Sequence, residues 1–219
     1  MKVFIGVGHG GGDLGAVANG VKEKDLNLSI ALACRDELKR HGVEVRMSRA
    51  KDENDSLTEE IKECNAFSPD LAVDIHNNAG GGDGAEVFHH HGGGKGKILA
   101  ENILSEIVKV GQNSRGAKVR KNSQGKDYYG FIRETSCPAV IVECAFVDNA
   151  SDLKILATES DRQKVGRAIA KGILKTLGVE IQGERLYRVQ VGAYLLKSNA
   201  EDMQKKIKAV GFDAFIVRE

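Results

Sequence analysis

Four residues in the first two-thirds of the chain, His9, Glu23, His76 and Glu143, carry side chains that together could perform metal-dependent hydrolysis. Two imidazoles and one carboxylate are a common ligand set for catalytic zinc, because three protein ligands leave one coordination position open. A further carboxylate that is not a ligand can act as the general base toward water. If the four side chains converge, the sequence therefore predicts a zinc hydrolase.

A regular alternation of predicted strands and helices would position these residues. The predicted strands are 3–7, 43–47, 71–75, 85–88 and 139–142, and the predicted helices are 25–41, 56–67, 97–110 and 161–177. This alternation favours an α/β fold with a mostly parallel twisted sheet and helices on both faces. His9, His76 and Glu143 each follow a predicted strand closely, and ligands collect at the carboxyl ends of parallel strands. We therefore expect these three residues to share one site.

Composition argues against several classes of function. The 219 residues include 32 basic and 31 acidic side chains, for a net charge of +1, so no nucleic-acid binding is expected. Apolar runs are too short to cross a bilayer, so no membrane insertion is expected. Residues 1–7 read as a strand rather than a signal peptide, which predicts synthesis in the cytoplasm. Four cysteines without C-x-x-C spacing are typical of a reducing compartment.

The segments around the four residues resemble, in the right order, the motifs of the zinc-dependent N-acetylmuramoyl-L-alanine amidases of the Amidase_3 family. The matching segments are GHGGGDLGA and GVKEKD within 8–25, DLAVDIHNNA at 70–79, GAEVF at 84–88 and PAVIVECAFVDN at 138–149. The resemblance extends from residue 1 to about residue 178, and the ordered set is more specific than any single motif.

This resemblance implies one zinc ion per catalytic domain, held by His9, Glu23 and His76, with Glu143 as the catalytic base. The bond cut would be the amide between N-acetylmuramic acid and L-alanine in peptidoglycan, which degrades the bacterial cell wall. Asn78 and Arg115 match other family positions. They are candidate substrate contacts, with the alternative that they only shape the loops.

The sequence departs from the usual family pattern near the second histidine. Asp74 and Asn77 stand where Ser and Ala are commoner, and the stretch 60–65 lacks an Arg that the family often has. After Phe88 the family tends to have tyrosines, whereas this chain has histidines at 89–91. Because neighbouring strand residues point to opposite faces, these three histidines cannot all reach one metal. We expect them in a solvated loop next to the cleft, and we expect the departures to affect substrate preference.

Three other interpretations stay open. Cys144 suggests a cysteine hydrolase, although it would point away from the pocket if its neighbour Glu143 points in. A wall-binding module with degenerate catalysis is disfavoured because all four chemical residues are intact. A zinc-dependent deacetylase or carboxypeptidase of another kind would be distinguished by its products.

The C-terminal part of the chain is predicted to form a separate unit. A composition shift marks 179–184 as a linker between a catalytic domain at 1–178 and a unit at 185–219. Strands at 186–194 and 212–217 and a helix at 198–210 would form a small βαβ unit that resembles half of a SPOR domain, a type that recognises peptidoglycan. Half a domain leaves sheet edges uncovered, so we predict a homodimer through 185–219. The alternative is a locally packed appendage.

A wall-degrading enzyme made without a signal peptide is expected to act on the cell wall after release. A phage-type endolysin fits this combination. A sporulation or autolytic enzyme freed by mother-cell lysis fits as well.

Overall fold

A computed structural model describes residues 1–181 and 190–218, and the chain divides into two compact units, Met1–Ile181 and Gln182–Glu219. The strands of the first unit are β1 (Lys2–Val7), β2 (Val17–Ala18), β3 (Val21–Lys22), β4 (Glu44–Met47), β5 (Leu71–Asn78), β6 (Ala85–His89), β7 (Ser114–Lys118) and β8 (Ala139–Phe146). Its helices are α1 (Glu23–Arg40), α2 (Leu57–Phe67), α3 (Gly94–Lys109), α4 (Gly130–Glu134), α5 (Ala150–Ile155) and α6 (Glu159–Leu177).

Six strands form one sheet in the order β4-β1-β5-β8-β6-β7, and β2 pairs with β3 as a separate two-stranded sheet. The strands β4, β1, β5 and β8 are parallel, whereas β6 is antiparallel to β8 and β7 is parallel to β6. The predicted α/β fold with a mostly parallel sheet and helices on both faces is confirmed.

The two faces of the sheet are covered unequally. One face carries the larger core, in which apolar residues of β1, β5, β6 and β8 pack with those of α1, α3 and α6. On the other face, a smaller cluster with α2 and α4 uses Ala72 of β5 and Ala139 and Ile141 of β8. Further along the same face come Asp74 and His76 of β5 and Glu143 of β8. The side chains on this face therefore change from apolar to ionisable toward the carboxyl ends of the strands.

The second unit contains one helix among its described residues, α7 (Lys197–Ala209), which confirms the predicted helix at 198–210. The strand predicted at 212–217 is wrong, because these residues form no strand and Phe212 and Phe215 are exposed. Of the strand predicted at 186–194, residues 186–189 lie outside the described residues, and 190–194 form no strand. A strand requires a hydrogen-bonded neighbour, and the described part of this unit supplies none. Within the described ranges, no helix is long and apolar enough to span a membrane.

Candidate metal and active site

His9 lies in the glycine-rich loop that follows β1, and its backbone adopts a positive φ of 62°. The neighbouring Gly8 allows the ring of His76 to lie directly against this backbone. A Cβ atom built on Gly8 would be only 2.1 Å from His76 Cε1, so any larger residue would displace the ring. The loop therefore brings the two predicted imidazoles together, with their ring centroids 5.2 Å apart.

Glu23 is the first residue of α1 and is only 4% exposed. Its Oε2 accepts a hydrogen bond from the backbone N–H of Ala16 at 2.9 Å, and its Oε1 accepts from the N–H of Asn77 at 3.1 Å. These two bonds fix the carboxylate between the first loop and β5. Burial by itself would raise the pKa of Glu23, but hydrogen bonds from His76 and His9 lower it below its usual value.

His76 and Glu143 lie opposite one another on adjacent parallel strands. The sequence placed both residues immediately after their strands, and this detail is wrong, since β5 continues to Asn78 and β8 to Phe146. Residues directly paired across two strands project from the same face of the sheet. The register therefore brings the predicted base next to a predicted ligand.

His9, Glu23 and His76 form a cluster that could hold a metal ion. His9 Nε2 lies 3.2 Å from Glu23 Oε2, and His76 Nδ1 lies 3.1 Å from Glu23 Oε1. The other nitrogen of each ring also faces a carboxylate: His9 Nδ1 is 2.8 Å from Asp13 Oδ2, and His76 Nε2 is 3.1 Å from Asp74 Oδ2.

The donor set fits a divalent cation. In the metal-free protein, hydrogen bonds on both sides of each imidazole require two protonated rings in contact with each other. The hydrogen bond to Glu23 raises the pKa of His9. Burial lowers the pKa of His76, but the charge of Asp74 and the hydrogen bonds to Asp74 and Glu23 together raise it well above its usual value. Asp13 and Asp74 hold the protons of the outer nitrogens, which orients the inner nitrogens toward Glu23, as carboxylates behind metal-bound histidines do. Imidazole nitrogen and carboxylate oxygen are ligands that suit zinc.

Glu143 has the environment expected of a general base. Its Oε2 atom is buried and has no hydrogen-bond partner. Burial raises the pKa of its carboxyl group to about 7, and the charge of His76 opposes this shift. A group with a pKa near the working pH can both accept and return a proton.

Glu86 was not identified from the sequence as a site residue. It lies on β6 directly opposite Glu143 and binds both candidate substrate residues: Asn78 Nδ2 donates to its Oε1 at 3.0 Å, and Arg115 Nε donates to its Oε2 at 2.7 Å. Lys118 Nζ also donates to Oε2, at 2.5 Å. A carboxylate inside the apolar strand sequence GAEVF was the signal that could have revealed it.

The histidines at 89–91 do not lie next to the cleft, and that expectation is wrong. Because β6 is antiparallel to β8, His89 pairs with Val140 near the amino-terminal end of β8. This end of the sheet is opposite the end at which the metal cluster lies. His90 Nε2 and His91 Nδ1 instead meet Asp127 Oδ2 at 3.1 and 2.7 Å, forming a second group of possible metal ligands. His90 Nδ1 accepts the N–H of Gly92 at 3.0 Å, so its ring proton is on Nε2. Asp127 accepts hydrogen bonds from the backbone N–H and the ring of His91.

Cys144 lies on the opposite face of the sheet from Glu143. It is 2% exposed, belongs to the larger core, and its thiol pKa is raised by burial. Because a thiolate is the nucleophile in cysteine hydrolases, this position does not support that alternative.

Comparison with known protein families matches residues 3–175 to the N-acetylmuramoyl-L-alanine amidase family, Amidase_3. The chain belongs to this family. A second match, to the SPOR domain, covers residues 156–218 and so begins well before the C-terminal unit predicted from the sequence. Family membership supports N-acetylmuramoyl-L-alanine amidase activity on peptidoglycan.

The amidase is similar to named proteins along its whole length and in its fold. It is 36% identical to the N-acetylmuramoyl-L-alanine amidase CwlM of Bacillus licheniformis, over 99% of this chain and 85% of that protein. It is 34% identical to the endolysin of Bacillus phage SPP1, over 81% and 66% of the two chains. The catalytic domain of the amidase CwlV from Bacillus (Paenibacillus) polymyxa superposes with a TM-score of 0.73 at 29% identity, over 82% of this chain and 99% of that domain.

Proposed function

We propose that this amidase hydrolyses the bond between N-acetylmuramic acid and L-alanine with one zinc ion held by His9, Glu23 and His76 and with Glu143 as the base. The observation that carries this proposal is the pairing of inward-facing imidazole nitrogens around Glu23 with a buried, unpartnered Glu143 oxygen on the adjacent strand. Zinc would supply Lewis acidity, which makes water acidic enough to ionise near neutral pH and polarises the scissile carbonyl.

The protein's own part in the reaction is proton transfer. Glu143 accepts a proton from the attacking water through Oε2, while the water oxygen forms a bond to the lactyl carbonyl carbon. The same carboxyl group then returns the proton to the nitrogen of L-alanine as the C–N bond breaks. The products are a carboxylate on the muramic acid and a peptide with a free amino terminus.

Asn78 and Arg115 are proposed to contact the substrate beside this carboxyl group. Both side chains donate hydrogen bonds to Glu86, which lies directly opposite Glu143 on the neighbouring strand. Glu86 therefore holds both side chains on the part of the sheet that carries the proposed base. Arg115 is exposed and its guanidinium lies 5.0 Å from the ring centroid of Phe146, which leaves part of the group free for a substrate carbonyl or carboxylate.

Product analysis tests this proposal. Purified peptidoglycan is digested with wild type, Glu143→Gln and Glu63→Gln, a matched control at an exposed carboxyl group of α2, and the products are identified by mass spectrometry. Wild type and the control should release peptides that begin with free L-alanine, and Glu143→Gln should not. A new amine elsewhere with an intact muramoyl-alanine bond would instead identify a deacetylase or carboxypeptidase. No product from any of the three proteins would favour a binding module.

Metal analysis tests the ligand set independently of activity. Zinc stoichiometry should be near one for wild type and should collapse in His9→Ala and His76→Ala. Glu143→Ala should retain the metal, because Glu143 is proposed as a base and not as a ligand.

For the rest of the chain we propose a catalytic domain at 1–178, a linker at 179–184 and a wall-associating unit at 185–219. The SPOR match supports peptidoglycan as the partner of this last unit. Similarity to the SPP1 endolysin supports action on the cell wall after release, and a host lytic enzyme is the second candidate. Zymography on bacterial walls with and without residues after 178 would measure the contribution of the C-terminal unit.

A further inference from the structure

Two buried amide side chains, Asn27 and Asn77, connect the segments that carry the proposed zinc ligands. Asn27 is fully buried and Asn77 is 2% exposed. Asn27 lies one helical turn after Glu23 on α1, and Asn77 follows His76 on β5. Neither side chain is a ligand or a base in the proposed reaction, so the burial of two amides at this place requires another explanation.

The amide of Asn27 binds two of these segments at once. Its Nδ2 donates to the carbonyl oxygen of Gly8, the residue before His9, at 2.9 Å and to Glu23 Oε1 at 3.3 Å. Both partners are acceptors, so a reversed amide would place its own oxygen against two oxygens. Asn27 therefore joins the His9 loop to the Glu23 carboxylate only in one orientation of its amide.

Asn77 selects this orientation. Because neighbouring strand residues point to opposite faces, the side chain of Asn77 points away from His76, and its Nδ2 donates to Asn27 Oδ1 at 2.8 Å. A reversed Asn27 would present a second nitrogen to this nitrogen and would lose the hydrogen bond. The backbone N–H of Asn77 also donates to Glu23 Oε1, at 3.1 Å, so this residue binds the carboxylate directly as well.

The side chain of Asn77 is retained at a cost. Its Oδ1 is buried, and no described residue donates a hydrogen bond to it. An unpartnered buried amide oxygen is unfavourable, and Ala, the residue commoner at this position in the family, would not bury one. The donor on Nδ2 is the part of the side chain that has a partner, which identifies it as the useful part.

We propose that Asn77 is a positioning residue of the metal site, which fixes the amide of Asn27 and thereby holds Glu23 and the His9 loop in the arrangement that binds zinc. This inference rests on the proposed roles of His9 and Glu23 as zinc ligands. It also gives a physical role to the departure from the family pattern at position 77.

The proposal is tested by zinc affinity, measured on the full chain with Zn²⁺ in competition with a chromophoric chelator. Loss of a group behind a metal ligand typically weakens metal binding 10- to 100-fold, so Asn27→Ala should show a loss of that order. Asn77→Ala keeps the backbone N–H and should weaken zinc binding about fivefold, the ratio that corresponds to one ordinary hydrogen bond.

Asn102→Ala is the matched control for structural damage. Asn102 Nδ2 donates to Thr176 Oγ1 at 3.0 Å, between α3 and α6. Urea unfolding in EDTA should show that this variant and both other asparagine variants are folded, and Asn102→Ala should bind zinc like wild type whatever stability it loses.

A double-mutant cycle tests whether Asn77 acts through Asn27. If it does, adding Asn77→Ala to Asn27→Ala should cause no further loss of zinc affinity, whereas independent effects would add. Wild-type affinity in Asn77→Ala, an equal loss in Asn102→Ala, or full additivity in the cycle would overturn the proposal. His76→Ala distinguishes the two levels: if it binds zinc like wild type, the proposed metal site itself is wrong, whereas if it loses zinc and Asn77→Ala does not, only the role of Asn77 is wrong.

Discussion

Replacing Glu143 with Gln should stabilise the metal-free protein, and this stabilisation should depend on pH in a defined way. Burial raises the pKa of Glu143 to about 7 in the folded chain, against 4.5 for an ordinary Glu. A raised carboxyl pKa means that the folded state holds the proton more tightly than the unfolded state. Wild-type stability therefore falls as pH rises from about 4.5 to about 7, and Glu143→Gln removes this loss.

The size of the effect follows from the two pKa values. Each pH unit between them is worth about 1.4 kcal/mol, which gives a maximum of about 3 kcal/mol once pH exceeds 7. At pH 6 the expected advantage of the variant is about 2 kcal/mol, and at pH 4 it is close to zero, because the side chain is then protonated in both states. Any cost of placing an amide in the site is the same at every pH, so the change of the stability difference with pH is what tests the raised pKa of Glu143.

Urea unfolding in EDTA at pH 4, 6 and 8 measures this difference between variant and wild type. Glu63→Gln, at an exposed position, should give a difference that does not vary with pH. If the Glu143→Gln difference is the same at pH 4 and pH 8, Glu143 is not held in an environment that favours its neutral form, and the reasoning for a base with a pKa near neutrality fails.

Three further outcomes are expected. Asp152→Ala should lower the free energy of urea unfolding by about 3 kcal/mol, because Asp152 is 1% exposed and accepts hydrogen bonds from the N–H groups of Phe146 and Gly84; Asp152→Asn, which keeps an acceptor, should lose less. Arg115→Ala should move the acid limb of the kcat/KM profile to higher pH, because a less neutralised Glu86 raises the pKa of Glu143; an unchanged profile would contradict this. Light scattering at micromolar concentration should show a dimer that is lost when 185–219 is removed, and a monomeric full chain would refute it.

The sequence was sufficient to bring His9, His76 and Glu143 to one part of the fold, because each lies close to the end of an apolar run. An apolar run followed by His or Glu predicts a buried strand that delivers a polar side chain, and helices between such strands predict parallel pairing. These two rules placed His76 and Glu143 at one site. The predicted strand ends were wrong, since His76 and Glu143 lie inside their strands and not after them. Strand ends depend on hydrogen-bond partners, which the run of residue types does not reveal.

Strand direction was beyond the reach of these rules. The sequence of β6 does not indicate whether this strand is parallel or antiparallel to its neighbours, and in the fold β6 is antiparallel to β8. Because of this direction, His90 and His91 lie at the end of the sheet opposite the metal cluster, next to Asp127. Asp127 lies 36 residues after His91, and no local sequence pattern connects them.

The departure at position 74 shows why a motif alone gives an incomplete account of the site. Read as a motif, Asp74 is only a substitution beside a ligand. In the fold, it adds a carboxylate to an already acidic site, and its Oδ2 lies 3.1 Å from His76 Nε2, on the side of the ring away from Glu23. The ring of His76 is thereby held between Glu23 and Asp74, so its orientation depends on position 74 as well as on the predicted ligands.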